Sequence, residues 1–165
     1  GVVTRCTARK NILYGIEADG TIVTDSSASE NGSYGFRATG GAEISHCTAN
    51  DNGSGFYADA STIIDCTAVA NNTGIVVQSW SCGQGNHCNQ NWTGSGIEVD
   101  GNDNKIDSNY VTGNGIGLYV LSSGNQITRN SMRGNSLEYS ILVGNDVGPN
   151  GLAATNMSPW ANIDF

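Results

Sequence analysis

The side chains best suited to chemistry recur at intervals of about twenty residues. One row reads Glu17, Arg37, Tyr57, Val76, Glu98, Tyr119 and Leu142; two residues further on a second reads Asp19, Thr39, Asp59, Gln78, Asp100 and Leu121. If the intervals stack, Arg37 and Tyr57 become neighbours with Asp59 beside them. A β-elimination needs a base at the sugar C5 proton and a cation to neutralise the carboxylate, and Arg37 and Tyr57 are of those types. Glu98 and Asp100 stand two apart, which on a strand puts both on one face. Such a pair could serve as a general acid or hold a hard cation such as Ca2+. The plainer reading is a solvated face with favourable pairs between neighbouring strands.

A third row, Arg5, Asp25, His46, Asp65, His87, Ser108 and Arg129, alternates carboxylate and imidazole over four repeats. It could orient a histidine base, but His46 and His87 would lie about 9–10 Å apart, two strand spacings, too far for one zinc ion. Charge pairing along the row explains it as well. Between Gln78 and Cys88 the repeat swells into a long turn holding Trp80, and the next repeat carries Trp92. The two tryptophans would flank Glu98 and Asp100 from opposite sides. Exposed indole faces stack on sugar rings, so Trp80 and Trp92, with Tyr57, Asp59 and Tyr119, form the candidate binding set. The alternative is that both indoles cover the long turn. Of the five cysteines, Cys6, Cys47, Cys66 and Cys88 share one inward row and read as small buried hydrophobes. Cys82 falls in the long turn, free or bridged to Cys88.

The elements that would position these residues follow from the repeat itself. Glycine marks one column, Gly15, Gly35, Gly55, Gly74, Gly96 and Gly117, at spacings of 20, 20, 19, 22 and 21 residues. Apolar residues follow it in alternation, as in Gly55-Phe56-Tyr57-Ala58 and Gly74-Ile75-Val76-Val77, the pattern of a half-buried strand. A second column holds Val3, Val23, Ile44, Ile63, Ile106 and Ile127, with no obvious member in the fifth repeat. A third runs Ala8, Ala28, Ala49, Ala68, Gln90, Val111 and Met132, and a fourth Asn11, Asn31, Asn52, Asn71, Thr93, Asn114 and Asn135. Each repeat therefore offers three short strands and three turns. One such unit buries no core, so the repeats must stack, with strands about 4.8 Å apart. Asparagine suits the inward corners because it tolerates left-handed backbone and can hydrogen-bond along its own row. A helical repeat fails, since no 3.6-residue apolar rhythm is present.

Composition agrees. The chain has 165 residues, which predicts one domain, with 23 glycines, 2 prolines and 13% charged residues. A net charge of −8 argues against nucleic acid as a partner and against a polyanion unless a cation bridges the two. No apolar run approaches a membrane span. The chain opens directly inside a repeat at Val2-Val3, which predicts further coils upstream. Residues 145–165 leave the repeat and end in Trp160, Ile163 and Phe165, material for a cap over the open end of the stack.

The phrases Ile-x-x-Asn/Cys-x-Ala and Asn-x-x-Gly-Ile-x-Val resemble the right-handed parallel β-helix repeat of the pectate-lyase-like superfamily, most nearly the carbohydrate-binding and sugar-hydrolase repeats. The block from Gly101 to Asn130 and the Pro159-Trp160-Ala161-Asn162 ending resemble the C-terminal coils of such proteins. The resemblance spans nearly the whole chain and is specific for fold. It implies an all-β, single-stranded solenoid of about seven coils over residues 1–144. It also implies a polysaccharide partner, lyase or hydrolase chemistry on the outer face of one sheet, and an extracellular or cell-surface location. The Gly-His-Gly pattern of polygalacturonases and the Asp-Pro-His pattern of alginate epimerases are absent, so no catalytic set carries over, and the cofactor reading stays at a possible Ca2+. The expectation is polysaccharide recognition, with cleavage assigned to Arg37, Tyr57, Glu98 and Asp100 if it occurs. The alternative is a non-catalytic spacer, adhesin or tailspike-like segment.

Overall fold

The computed structural model describes residues 1–152 and 158–165, with no helix among them. Short strands recur three to a coil and assemble into three parallel sheets of eight, nine and seven strands. The first sheet begins at Val2–Thr4, the second at Thr7–Arg9 and the third at Ile16–Asp19. Each strand pairs with its counterpart one coil away, as in Ile63 with Ile44, Ala68 with Ala49 and Ile75 with Phe56. The fold is the parallel β-helix that the repeat predicts.

Stacking turns each sequence column into a stripe of core. Val23, Ile44, Ile63, Ile106 and Ile127 face inward from the first sheet, Ala28, Ala49 and Ala68 from the second, and Phe36, Phe56, Ile75, Ile97 and Leu118 from the third. Volumes compensate within a coil. The rings of Phe36 and Phe56, stacked 5.0 Å apart, lie in coils whose other inward positions include alanine, whereas Ile97 and Leu118 share theirs with valines. The glycine column allows close approach of neighbouring coils: a Cβ on Gly55 would lie 2.6 Å from the Gly74 carbonyl oxygen and 2.9 Å from Asn71 Nδ2.

Three hydrogen-bonded ladders seal the corners. Between the second and third sheets, Asn11, Asn31, Asn52, Asn71, Asn91, Asn114 and Asn135 stack; each side-chain oxygen accepts from the backbone N–H and the amide Nδ2 of the coil before. The Asn52 N–H reaches Asn71 Oδ1 at 2.9 Å and its Nδ2 does so at 3.0 Å. This row ends on Glu138, whose carboxylate accepts from both donors of Asn135. Between the first and second sheets, Cys66, Asn86, Asn109, Asn130 and Asn162 continue a row begun by Cys6, Ser26 and Cys47. Between the third and first sheets run Ser61, Ser81, Asn104, Asn125 and Asn145.

The structure corrects the register of the fifth coil by two residues. Asn86 occupies the row expected for Cys88, Cys88 the row expected for Gln90, and Asn91 that expected for Thr93. Gly83 fills the apparently vacant apolar column, opposite Ile63 and Ile106. The extra residues lie in the turn holding Trp92, not in the one holding Trp80. His87 therefore leaves the corner row, where Gly85 takes its place, and packs at a tilt against Tyr110 with ring centroids 5.2 Å apart. Cys82 sits on a strand, Cys82–Gln84, and both it and Cys88 are free thiols. In the last coil Ser140, not Leu142, pairs with Tyr119. Parallel pairing also runs past residue 144, since Asp146–Val147 lies against Gln126–Ile127 and Asn162–Asp164 against Ser131–Met132.

Candidate functional site

The outer face of the third sheet holds two separate groups. Arg37 pairs in register with Tyr57 and with Glu17, to which it is ion-paired. Its guanidinium lies 5.6 Å from the ring centres of both Tyr14 and Tyr57. Tyr14, Tyr34 and Tyr57 form a stack with centroid spacings of 5.5 and 4.9 Å. The rings thus contact one another and Arg37, the second pair tilted by 36°. Burial, followed by the nearby Asp59 charge, pushes the Tyr57 hydroxyl above its ordinary range, which opposes a role as a base.

Glu98 and Asp100 form the other group: Glu98 is on the strand paired beside Val76, Ser95–Val99, and Asp100 stands just past its end rather than on the strand as expected. Burial pushes the Glu98 carboxyl up, and the charge and hydrogen bond of Asp100 add to this. Asp100 accepts from Gln78 Nε2 at 3.2 Å through one oxygen, while its Oδ1 is buried without a partner. Tyr119 pairs beside Glu98. Arg37 and Glu98 stand three strands apart, about 14 Å, so these four residues do not converge on one bond.

The tryptophans occupy opposite edges of this sheet, as the repeat leads one to expect. Trp92 lies at the corner that precedes the sheet and Trp80 at the corner that follows it, 63% and 72% exposed. The Trp80 corner is left-handed in every coil. Its other members are Gly20, Gly41, Ala60, Asp103, Gly124 and Gly144. Trp80 has φ 55°, and its N–H donates to the Asn102 carbonyl at 3.0 Å. A left-handed backbone costs a side-chain-bearing residue about 1–2 kcal/mol, and an indole so exposed recovers little of that from the core. Trp80 instead lines an open groove of about 540 Å³ over the first sheet, with Thr62, Cys82, Asp103, Lys105 and Gln126.

One cluster escaped the sequence reading. Asp107, fully buried, is held by Arg129 through both carboxylate oxygens and by the Thr128 hydroxyl at 3.0 Å. Trp160 covers the guanidinium at 5.3 Å. The Arg129 guanidinium beside Asp107 holds its carboxyl below the ordinary range. The signal was a carboxylate and an arginine 22 residues apart, one on a strand and one on a corner, a pairing that strand columns alone do not predict. Tyr14 and Tyr34 were legible, each directly before a column glycine, but went unused.

No curated protein matches the chain. Among solved structures, the A-module of Azotobacter vinelandii mannuronan C-5 epimerase AlgE4 superposes with a TM-score of 0.71 at 18% identity, covering 81% of this chain and 46% of that one. The chain thus spans under half the length of that structure, and the likeness is one of fold. A family model described as "Periplasmic copper-binding protein (NosD)" matches residues 2–147. That span takes in all but the last strands of the β-helix, and the chain accordingly belongs to the NosD family.

Proposed function

We propose that this protein recognises a polysaccharide in the groove beside Trp80. The observation that carries the reading is the tryptophan itself: a large aromatic held at a left-handed corner where other coils use glycine, alanine or aspartate, and turned to solvent over a groove lined by polar side chains. An indole face with flanking hydroxyl and amide groups is suited to a sugar ring, whose apolar face stacks while its hydroxyls hydrogen-bond. The likeness in fold to a protein named for its action on mannuronan, and the periplasmic description of the family, support a glycan partner and a place outside the cytoplasm. No helix among the described residues is long and apolar enough to cross a membrane.

The copper in the family's description finds no matching donor set here. Among the described residues no three His, Cys, Asp or Glu side chains converge to hold a metal ion. His46 lies at a corner and His87 on a strand two coils on and in a different column, more than about 10 Å away by strand spacing. Cys47 and Cys66 are adjacent but buried in the core, and the hydrogen bond shared with the Cys47 thiol, together with burial, holds Cys66 far above the ordinary thiol range. Copper sites use accessible thiolates or convergent imidazoles, and among the described residues the imidazoles lie apart and the adjacent thiols are buried.

A catalytic reading rests on Glu98, whose raised pKa and partner Asp100 suit a general acid. It would act on the third sheet, away from the Trp80 groove. Titrating the protein with a panel of oligosaccharides and following tryptophan emission tests the main reading. Trp80→Ala should weaken binding at least tenfold while Trp92→Ala leaves it intact. Equal affinity in the wild type and Trp80→Ala would remove this groove from consideration.

A further inference from the structure

The groove beside Trp80 does not end at its own coil. Cys82, Lys105, Gln126 and Asp146 are consecutive outer positions of the first sheet, paired strand to strand. A second groove of about 380 Å³ begins at Gln126, passes Asp146 and Val147, and closes against Trp160. Gln126 lines both. Trp160 is 57% exposed and rests over Arg129. A tryptophan therefore stands at each end of one path along the solenoid axis. Three strand spacings, about 14 Å, separate the coil of Cys82 from that of Asp146.

The charges along the path bear on what lies in it. Lys105 and Arg129 are its two cations, and both are engaged by buried Asp107, Arg129 through a two-point contact and Lys105 at 3.6 Å. Asp103 and Asp146 are the remaining charged groups, both exposed and both acidic. Asp107 leaves one positive charge unmatched, but Asp103 and Asp146 outweigh it, so the path is net negative and, with −8 on the whole chain, a carboxylate-bearing ligand meets repulsion. Hydroxyl and amide groups, as on Thr62 and Gln126, are what the floor offers instead.

We propose that the two grooves are one binding track for a linear, uncharged glycan, with Trp80 and Trp160 as its terminal platforms and Gln126 at the join. This rests on the Trp80 reading and deepens it: the ligand is an extended chain rather than a single sugar, and it is neutral rather than a polyuronate.

The test uses cello-oligosaccharides of increasing length and mannuronan oligosaccharides of matched length as probes. In the wild type, affinity should rise with cello-oligosaccharide length until the chain reaches Trp160, and the mannuronan series should bind at least tenfold more weakly. Trp160→Ala should remove the gain with length and leave cellobiose affinity unchanged. Because that substitution also uncovers Arg129, a Trp80→Phe/Trp92→Phe variant gives an independent readout. Its remaining tryptophan emission should respond to the long oligomers and not to cellobiose. Length dependence that survives Trp160→Ala, or Trp160 emission that ignores long chains, would overturn the track while leaving the Trp80 site standing. Tighter binding of mannuronan would overturn the neutral ligand. If neither series binds the wild type, or Trp80→Ala changes nothing, the recognition reading itself fails along with the track.

Discussion

Trp80 sets stability against surface chemistry. Glycine adopts its left-handed backbone without strain, so Trp80→Gly relieves a cost that the native residue bears. Part of the gain, about 0.5–1 kcal/mol, is offset by the greater freedom of glycine in the unfolded chain. We expect Trp80→Gly to melt at or slightly above the wild-type temperature while losing glycan affinity; a clear drop in melting temperature would mean that the indole supports the fold. Glu98 makes a second prediction. Its carboxyl is raised in the folded state, so the native protein binds that proton more tightly than the unfolded chain does. The contribution favours folding below the ordinary glutamate pKa of about 4.3 and is lost as pH rises through the folded value. Glu98→Gln should therefore exceed the wild type in thermal stability at pH 7, with the difference closing towards pH 4. A gap that stays constant with pH would show that ionisation of Glu98 does not matter to the fold.

At the level of the coil, the corner ladders and the glycine column hold neighbouring turns in register. Asn71 accepts two hydrogen bonds from Asn52 and donates to the Ala49 and Val69 carbonyls, both at 3.1 Å. Truncating it strands several buried polar groups at about 1–3 kcal/mol each, so Asn71→Ala should cost about 3 kcal/mol or more in urea denaturation, whereas exposed Asn72→Ala should be near neutral. Gly55→Ala should also destabilise strongly, because its methyl group would meet a backbone carbonyl that cannot move alone. Most of this architecture was legible in the sequence, since a side chain repeated at one interval becomes a stripe once strands stack. The fifth coil was not. It has Gly83 on a strand where neighbouring coils show Ile, and Gly85 at a corner where other coils carry a side chain, so the pattern lost its landmarks just where two extra residues enter beside Trp92. The asparagine row would have fixed the register, with Asn86 and Asn91 five apart as in Asn109 and Asn114. The candidate site was less legible because corners obey no side-chain alternation. Nothing in the order of residues reveals that Trp80 turns towards the first sheet rather than towards Glu98.

Across the whole molecule, charge and donor placement bound the partners. The outer rows of the third sheet hold Glu17, Asp19, Asp59, Glu98 and Asp100 against Arg37 alone. An acidic chain would be repelled there as well as along the first sheet. The imidazoles are scattered, Cys47, Cys66 and Cys88 are buried, and Cys6, expected in the core, is exposed at the first coil away from any histidine column partner, so one equivalent of Cu(II) should leave the melting temperature unchanged. A rise of several degrees at that concentration would reveal a site assembled from groups that lie apart in the present fold.

The asparagine row that ends on Glu138 has a direction. Every side-chain carbonyl in it points back towards the first coil and every backbone N–H that meets one points forward, so the dipoles of these pairs add instead of cancelling, as peptide dipoles do along a helix. The forward terminus carries partial positive charge, and there Glu138 supplies a carboxylate, much as an acidic residue caps the start of a helix. Replacing Glu138 with lysine would set like against like at that pole, and unravelling should then begin from the last coil.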